Sequence, residues 1–152
     1  MASDLHFEDF VPGQTYDLGS VCVSKDEIVA FAAEYDPQPF HLDEEAGRAS
    51  MLGGLAASGW HTCAMVMRLL ADGLLNRSSS KGAPGVDTIE WKRPVFPGDT
   101  LSATATIQKV RSLVTKPDLG LVFVRIAVTN QDDLPVLFWE NPIMFAKREM
   151  AP

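Results

Sequence analysis

A nineteen-residue segment from Ala49 to Met67 contains no Asp, Glu, Lys or Arg, and it constrains the fold more than any other feature of the chain. Its length approaches that of a membrane-spanning helix. It also contains three glycines, two serines, a threonine and a histidine, which make it too polar for a bilayer. A helix that is apolar on most sides but unsuited to lipid is typical of a protein interior. The segment therefore predicts a long buried helix from about Ser58 to Leu75 and no membrane association.

Short helices precede the predicted buried helix. Ser24 opens a capping box for a helix that must end by Asp36, because Pro37 disfavours helical geometry in the residue before it. Asp43 is placed to cap a short helix that continues through Ala49. A chain of 152 residues buries roughly 68–70% of the surface that its unfolded form exposes, so one domain with one core is sufficient.

The second half of the chain changes to a period of two, which is typical of strands. The predicted strands are Thr15–Val23, Thr88–Lys92, Leu101–Ile107, Val122–Val128 and Val136–Phe145. A mobile loop is predicted over Asn76–Gly85 and a type II turn at Pro97–Asp99. Pro142 marks an edge or a bulge in the last strand. Consecutive strands with short connections indicate hairpins and an antiparallel sheet. We therefore predict an α+β fold in which a curved sheet wraps the long helix and a second subunit covers the side that stays exposed.

Charge and cysteine usage narrow the functional classes. The formal net charge of −7 argues against nucleic-acid binding and against docking on anionic membranes. An acidic substrate would need a local basic patch or backbone donors. Cys22 and Cys63 are isolated, so we expect buried free thiols in a reducing compartment and no zinc or redox site. The N-terminal ten residues lack the pattern of a secretory signal, which predicts a cytoplasmic protein.

The loop Asp36-Pro37-Gln38-Pro39-Phe40-His41-Leu42-Asp43 is the strongest candidate for chemistry. Two prolines fix its backbone, and a fixed backbone holds catalytic side chains in place. His41 can exchange a proton near neutral pH, and Asp36 can orient its ring or hold a water molecule. The same residues also fit a proline-rich turn with a surface histidine, and the spacing alone leaves both interpretations open. A metal site formed with Asp43 lacks further ligands, so we predict none.

The beginning of the long helix is a second candidate. A helix start presents unpaired N–H groups and a positive dipole end, and Gly59 allows a ligand oxygen to approach closely. Tight helix packing that requires small residues explains the same glycine equally well. His61 lies within the helix, and we expect a core histidine with one hydrogen-bond partner.

Three motifs, in this order, resemble those of the MaoC-like dehydratases. Tyr35–Asp43 resembles the family's hydratase-2 motif, in which an aspartate and a histidine stand five positions apart. Gly54–Trp60 resembles the family's helix entry, and Trp91–Asp99 resembles its strand and Pro-Gly-Asp turn. The resemblance extends from about Phe10 to Lys147.

The resemblance implies a hot-dog fold and a homodimer, or a larger homo-oligomer, with the active site near the subunit interface. It implies reversible hydration of a trans-2-enoyl thioester, carried by coenzyme A or acyl carrier protein, to the (R)-3-hydroxyacyl product. In that mechanism Asp36 and His41 activate one water, and the amide of Gly59 holds the thioester oxygen. Ser58 and Gln38 line the substrate pocket. Neither a cofactor nor a metal is implied.

The chain departs from the family pattern in the lining of that pocket. The family usually has asparagine at Gln38 and histidine at Ser58, and some members have serine at Ala64. These changes affect the expected substrate, whereas the acid–base pair is intact. A hot-dog thioesterase is an alternative, but many thioesterases place a carboxylate on the central helix, and residues 58–71 contain none. A non-catalytic hot-dog subunit is a second alternative, which the intact Asp36 and His41 argue against.

Overall fold

The computed structural model describes residues 5–148, and these form one layer of helices against one sheet. The helices are α1 (Lys25–Tyr35), α2 (Glu44–Ala49) and α3 (Gly59–Gly73), and the strands are β1 (Thr15–Cys22), β2 (Thr88–Trp91), β3 (Thr100–Ser112), β4 (Leu119–Thr129) and β5 (Pro135–Ala146). Short 3₁₀ turns lie at Phe7–Asp9, Pro39–His41 and Leu75–Arg77. Within residues 5–148, no helix is long and apolar enough to cross a membrane. The predicted α+β class is confirmed.

The predicted caps of the two short helices are present. The Ser24 hydroxyl accepts a hydrogen bond from the N–H of Glu27 at 3.1 Å, and Asp43 accepts one from the N–H of Ala46 at 2.9 Å. Asp43 is thereby engaged as a helix cap. The helix α1 ends at Tyr35, immediately before the Asp36–Pro37 pair, as the sequence predicts.

The five strands form a single antiparallel sheet in the order β1-β3-β4-β5-β2. The predicted hairpin between β2 and β3 is wrong, because β4 and β5 separate these two strands. Their connection contains Pro94 and Pro97, which cannot donate backbone hydrogen bonds to a sheet. It crosses the beginning of α3 instead, where the Ala57 N–H donates to the Val95 carbonyl at 2.8 Å. The Pro97–Asp99 turn is present, with Gly98 at φ +90°.

Pro142 lies in β5, which pairs with β4 without a bulge at this residue and pairs with β2 only from Leu137 to Glu140, so the proline lies at a local edge of an inner strand. On the side facing β2, the Glu140 carbonyl accepts from Asp87 and the Met144 N–H donates to Gly82. Pro142 falls between these two bonds, where the chain from Gly82 to Asp87 leaves the sheet. A proline is tolerated there because its missing N–H has no acceptor opposite it.

The core lies between α3 and the inner face of the sheet. The residues that β3 and β4 direct inward are at most 1% exposed: Leu101, Ala103, Ala105, Ile107, Val122, Val124, Ile126 and Val128. Val66 and Leu70 of α3 pack against them. Each such buried Val or Leu side chain contributes about 1.5–3 kcal/mol relative to an exposed one, so this layer fixes the position of α3.

The helix α3 is less enclosed than its sequence predicts. Trp60, Ala64, Met67 and Arg68 are exposed along one face. Of the uncharged segment before α3, only Ala49 belongs to α2, and residues 50–58 form a loop. Cys63 is buried as predicted, whereas Cys22 is exposed. The alternation of side chains at the end of β1 explains this difference, because Val23, directly after the strand, is buried and its neighbour Cys22 is exposed.

The segment predicted as a mobile loop after α3 is partly bound to the sheet. Backbone hydrogen bonds join Lys81 to Met144, Met144 to Gly82 and Ala146 to Ser79. The segment thus extends the sheet alongside the end of β5, where β2 no longer pairs. The small and polar residues of this segment are compatible with a loop. The segment is extended because its backbone hydrogen-bonds to the part of β5 that has no other partner strand on that side.

Candidate functional site

His41 lies in the 3₁₀ turn that follows α1, and its side chain is 6% exposed. Its Nδ1 atom lies 2.6 Å from the Ala56 carbonyl oxygen. A carbonyl oxygen only accepts hydrogen bonds, so Nδ1 carries a proton. The other ring nitrogen, Nε2, is then the atom that can accept or release a proton. It lies 3.4 Å from Oδ2 of Asp36.

The Asp36 carboxylate is held by hydrogen bonds at both oxygens. The Ser58 hydroxyl donates to Oδ2 at 2.7 Å, and the Gln38 side-chain amide donates to Oδ1 at 2.6 Å. The Ser58 hydrogen bond is the main cause that lowers the pKa of Asp36, with Gln38 and the nearby His41 acting in the same direction against partial burial. Asp36 is therefore ionised at neutral pH, where it is available as an acceptor.

In the tautomer with its proton on Nδ1, His41 presents an acceptor to ionised Asp36. Nε2 has a lone pair in the tautomer that the Ala56 carbonyl imposes, and Oδ2 is a carboxylate oxygen. A water molecule can donate to both atoms, which satisfies both acceptors. The geometry is thus suited to hold one water beside the two atoms, within hydrogen-bond distance of both.

Ser58 links this pair to the beginning of α3. It is fully buried, and its hydroxyl accepts from the Trp60 N–H at 3.3 Å while it donates to Asp36. One side chain thus caps α3 and holds the carboxylate. Gly59 follows as the first helical residue, where the backbone N–H has no acceptor within the helix.

Gly59 is also packed closely against an aromatic ring. Its carbonyl accepts from Nε1 of Trp91 at 3.0 Å, and a Cβ atom added to it would lie 2.7 Å from the Trp91 indole. Close packing, one of the two interpretations of this glycine, is therefore present. Gly59 is also one of the residues that line the cavity described next.

A cavity of about 540 Å³ brings most of the predicted residues together. Its lining consists of Asp36, Gln38, Phe40, His41, Met51, Leu52, Ala56, Ala57, Gly59, Trp60, Thr62, Trp91, Lys92, Arg93, Pro94 and Val95. Ser58 is buried behind this lining and contacts Asp36. Ala64 lies on the exposed face of α3, apart from the lining residues. The volume and the mixture of apolar walls with a few polar groups are typical of a small-molecule site.

Two basic side chains at the cavity form the local positive charge that an acidic substrate would need. Arg93 donates through Nε to the Pro135 carbonyl at 2.8 Å, which anchors its guanidinium, and Lys92 is paired with Glu90 at 3.1 Å. Nothing in the sequence distinguished them as site residues, although both lie in the Trp91–Asp99 motif. Nothing in the sequence pointed to Ala56, because the contact with His41 is made by its backbone carbonyl, which every residue type has.

His61 is separate from this cavity. It is buried and stacks on Phe31 of α1, with ring centroids 4.8 Å apart. Its Nδ1 has no hydrogen-bond partner among the described residues, so the predicted bond is missing at this atom. Burial lowers the pKa of His61, because an apolar environment disfavours the charged ring. It is a packing residue between α1 and α3.

Comparison with known proteins identifies the family. The model of the MaoC-like domain matches residues 9–123. A MaoC-like dehydratase from Rhodospirillum rubrum has a similar structure, with a TM-score of 0.85 and 37% identity over 96% of this chain and 99% of that one. An (R)-specific enoyl-CoA hydratase from the same organism is 29% identical over 104 residues, which are 67% of this chain and 69% of that protein.

The fold is that of a further solved structure. A Mycobacterium tuberculosis protein with a double hotdog fold has a TM-score of 0.84 and 20% identity, over 99% of this chain and 47% of that one. One copy of this chain thus corresponds to about half of that protein. The chain has a hot-dog fold and belongs to the MaoC-like domain family.

Proposed function

We propose that this protein catalyses the reversible hydration of a trans-2-enoyl thioester to the (R)-3-hydroxyacyl thioester. The observation that carries the proposal is the gap between Nε2 of His41 and Oδ2 of Asp36, two acceptors 3.4 Å apart beside the start of α3. The related hydratase of Rhodospirillum rubrum supports the same class of reaction. The carrier is coenzyme A or acyl carrier protein, and Lys92 and Arg93 are the cations available to its phosphates.

The proposed mechanism uses one water and leaves no group on the enzyme. Asp36 and His41 hold the water, and Nε2 of His41 takes a proton as the water oxygen bonds to the β-carbon of the substrate. Nε2 of His41 then donates this proton to the α-carbon, so His41 is regenerated and the elements of one water are added in total. Negative charge that develops on the thioester oxygen is stabilised by the N–H of Gly59 at the positive end of α3. The reverse sequence releases water.

Substitution of the two acid–base residues tests this proposal. We expect Asp36→Asn and His41→Ala each to lower kcat for hydration of crotonyl-CoA by about 10²–10⁴-fold, because each removes one group that positions or deprotonates water. The loss of the enoyl thioester absorbance measures the rate, and circular dichroism checks the fold. Asp43→Asn is the control, because Asp43 lies in the same segment but caps α2. Full activity in both catalytic variants would disprove the proposal.

A thioesterase is the second candidate, since it would use the same class of substrate. Asp36 is the single acidic side chain among the cavity's lining residues, and it is already bound to Ser58 and Gln38. This arrangement favours water held against His41 over a free carboxylate that attacks a thioester. Release of free coenzyme A from a saturated acyl-CoA would favour the thioesterase instead. A non-catalytic role predicts neither activity.

We further propose that the protein works in the cytoplasm as a homodimer or larger homo-oligomer. The exposed face of α3 and the unpaired edge of β2 support this assembly, since both adjoin the cavity. The mechanism requires neither a cofactor nor a metal, because every step is a proton transfer or an addition of water.

A further inference from the structure

Trp91 ties the first residue of α3 to the sheet. Its backbone lies in β2, where it pairs with Leu137 of the inner strand β5. Its indole Nε1 donates to the Gly59 carbonyl at 3.0 Å. Within a helix that carbonyl already accepts from the N–H four residues later, and a carbonyl oxygen has two lone pairs, so the indole supplies a second hydrogen bond. The start of α3 is thus bonded to a strand as well as to its own helix.

The indole of Trp91 is packed on two sides where it makes this bond. A Cβ atom added to Gly59 would lie 2.7–3.0 Å from three atoms of the ring, so the glycine backbone lies directly against it. The ring of Trp60, the next residue, meets the indole edge to face, with centroids 5.3 Å apart and planes at 83°. Trp91 is 45% exposed, so water competes for its N–H. The packing restricts rotation of the ring and favours the bond to the carbonyl.

Gly59 needs such an anchor if its N–H is to stabilise a developing charge. Glycine has more backbone freedom than any other residue. On the N-terminal side, Ser58 is held through its hydroxyl, which bonds to the Trp60 N–H and to the Asp36 carboxylate. On the C-terminal side, the Gly59 carbonyl is held by Trp91. The N–H of Gly59 therefore lies between two anchored points that different parts of the fold supply.

We propose that Trp91 is a positioning residue, which holds the N–H of Gly59 where the thioester oxygen becomes negative. This inference rests on the proposed function, and Trp91 acts through Gly59 without a required contact to the substrate. A preorganised donor stabilises the transition state more than the bound substrate, because the charge on the oxygen develops only during the reaction. Loss of the indole hydrogen bond should therefore lower kcat and leave KM almost unchanged.

The Trp91→Phe substitution tests this role, because it keeps an aromatic ring beside Gly59 and removes the N–H. We expect kcat for crotonyl-CoA to fall about five- to tenfold, with KM within about twofold of wild type. Removal of an oxyanion donor itself costs about 10²–10³-fold, so the effect of loosening one is smaller. The pH dependence of kcat should keep its midpoints, because Asp36 and His41 are bonded to other residues.

Trp139→Phe is the matched control. The indole Nε1 of Trp139 donates to Oδ1 of Asn141 at 3.1 Å within β5, and Trp139 is not among the residues that line the cavity. The control thus removes the same kind of hydrogen bond from another strand. Its kcat and KM for crotonyl-CoA should stay within about twofold of wild type. Thermal unfolding of both variants measures how much of any effect is due to stability.

A second variant keeps the proposal falsifiable if Trp91→Phe fails to fold. Trp91→Met also lacks the donor, and a flexible methionine side chain fills irregular space. It should show the same loss of kcat with little change in KM. A kcat within twofold of wild type in a folded Trp91 variant, a loss confined to KM, shifted pH midpoints, or an equal loss in Trp139→Phe would overturn the inference. Failure of wild type to hydrate crotonyl-CoA would instead contradict the proposed function.

Discussion

Ser58 couples the stability of the fold to the charge of Asp36, because its hydroxyl hydrogen-bonds both to the first turn of α3 and to the Asp36 carboxylate. It caps α3 and donates to the Asp36 carboxylate, which lowers the pKa of Asp36 below its ordinary value of 3.8. A lowered pKa means that ionised Asp36 stabilises the fold above pH 3.8 and that this contribution is lost as the pH falls through the lower, folded-state value.

The Ser58→Ala substitution should therefore reduce stability in a pH-dependent way. The lost cap costs about 1 kcal/mol at any pH, and the lost hydrogen bond to ionised Asp36 adds to this cost at neutral pH. The difference in the free energy of unfolding between wild type and variant should be largest near pH 7 and should narrow towards about pH 3. Urea denaturation across this range measures it.

A titration of the Asp36 carboxyl carbon by NMR provides the control for this prediction. Ser58→Ala should raise the pKa of Asp36, since its main stabilising hydrogen bond is removed. Ser24→Ala removes the equivalent cap of α1, which binds Glu27 and does not contact Asp36. The Asp36 titration should be unchanged in that variant. An equal shift of the Asp36 pKa in both variants would show that Ser58 affects Asp36 only through the stability of the whole fold and not through their hydrogen bond.

At the scale of the elements, α2 is held against the loop that carries Ala56 by contact at a glycine. A Cβ atom added to Gly47 would lie 2.5 Å from the backbone of Gly54 and Leu55, and backbone atoms cannot move aside cheaply. Gly47→Ala should destabilise the protein by about 1–3 kcal/mol, although the same change normally stabilises a helix by nearly 1 kcal/mol. It should also lower activity, because the displaced loop carries the Ala56 carbonyl that binds His41. Thermal unfolding and crotonyl-CoA turnover measure both effects.

Gly85→Ala is the matched control for that substitution. A Cβ atom at Gly85 meets nothing within 4 Å, and its φ is not in the positive range that excludes side chains. We expect unchanged or slightly increased stability, because alanine restricts the unfolded chain. Destabilisation of equal size at both glycines would mean that the contact between α2 and Gly54 is not the cause.

Which elements the sequence could predict depends on whether their determinants are local. Ser24, Asp43 and the alternating residues of β3 and β4 act within a few positions, and the predicted helices and strands are present. The crossover of β2 depends on pairing across the whole sheet, which no local pattern encodes.

At the site, the loop prolines and the five-residue spacing indicated Asp36 and His41. The Ala56 carbonyl could not be predicted, because any residue type supplies a carbonyl.

At the scale of the whole molecule, three large exposed apolar side chains line the cavity. Met51 is fully exposed, and Trp60 and Trp91 are 60% and 45% exposed. The strand β2 pairs only with β5 among the described strands, so its outer edge is free. Large exposed apolar groups beside an unpaired strand edge indicate a protein interface. A second copy of the chain, paired at β2, would cover these side chains and close the cavity.

This assembly predicts a dimer that a single added charge dissociates. Trp60→Glu places a carboxylate in the expected interface, where desolvation is costly, so the variant should run as a monomer when wild type runs as a dimer. Size-exclusion chromatography with light scattering measures the mass. Val114→Glu is the control, because Val114 is 95% exposed in the β3–β4 connection, away from the cavity. A monomeric wild type whose specific activity is constant on dilution would show that one chain closes its own site.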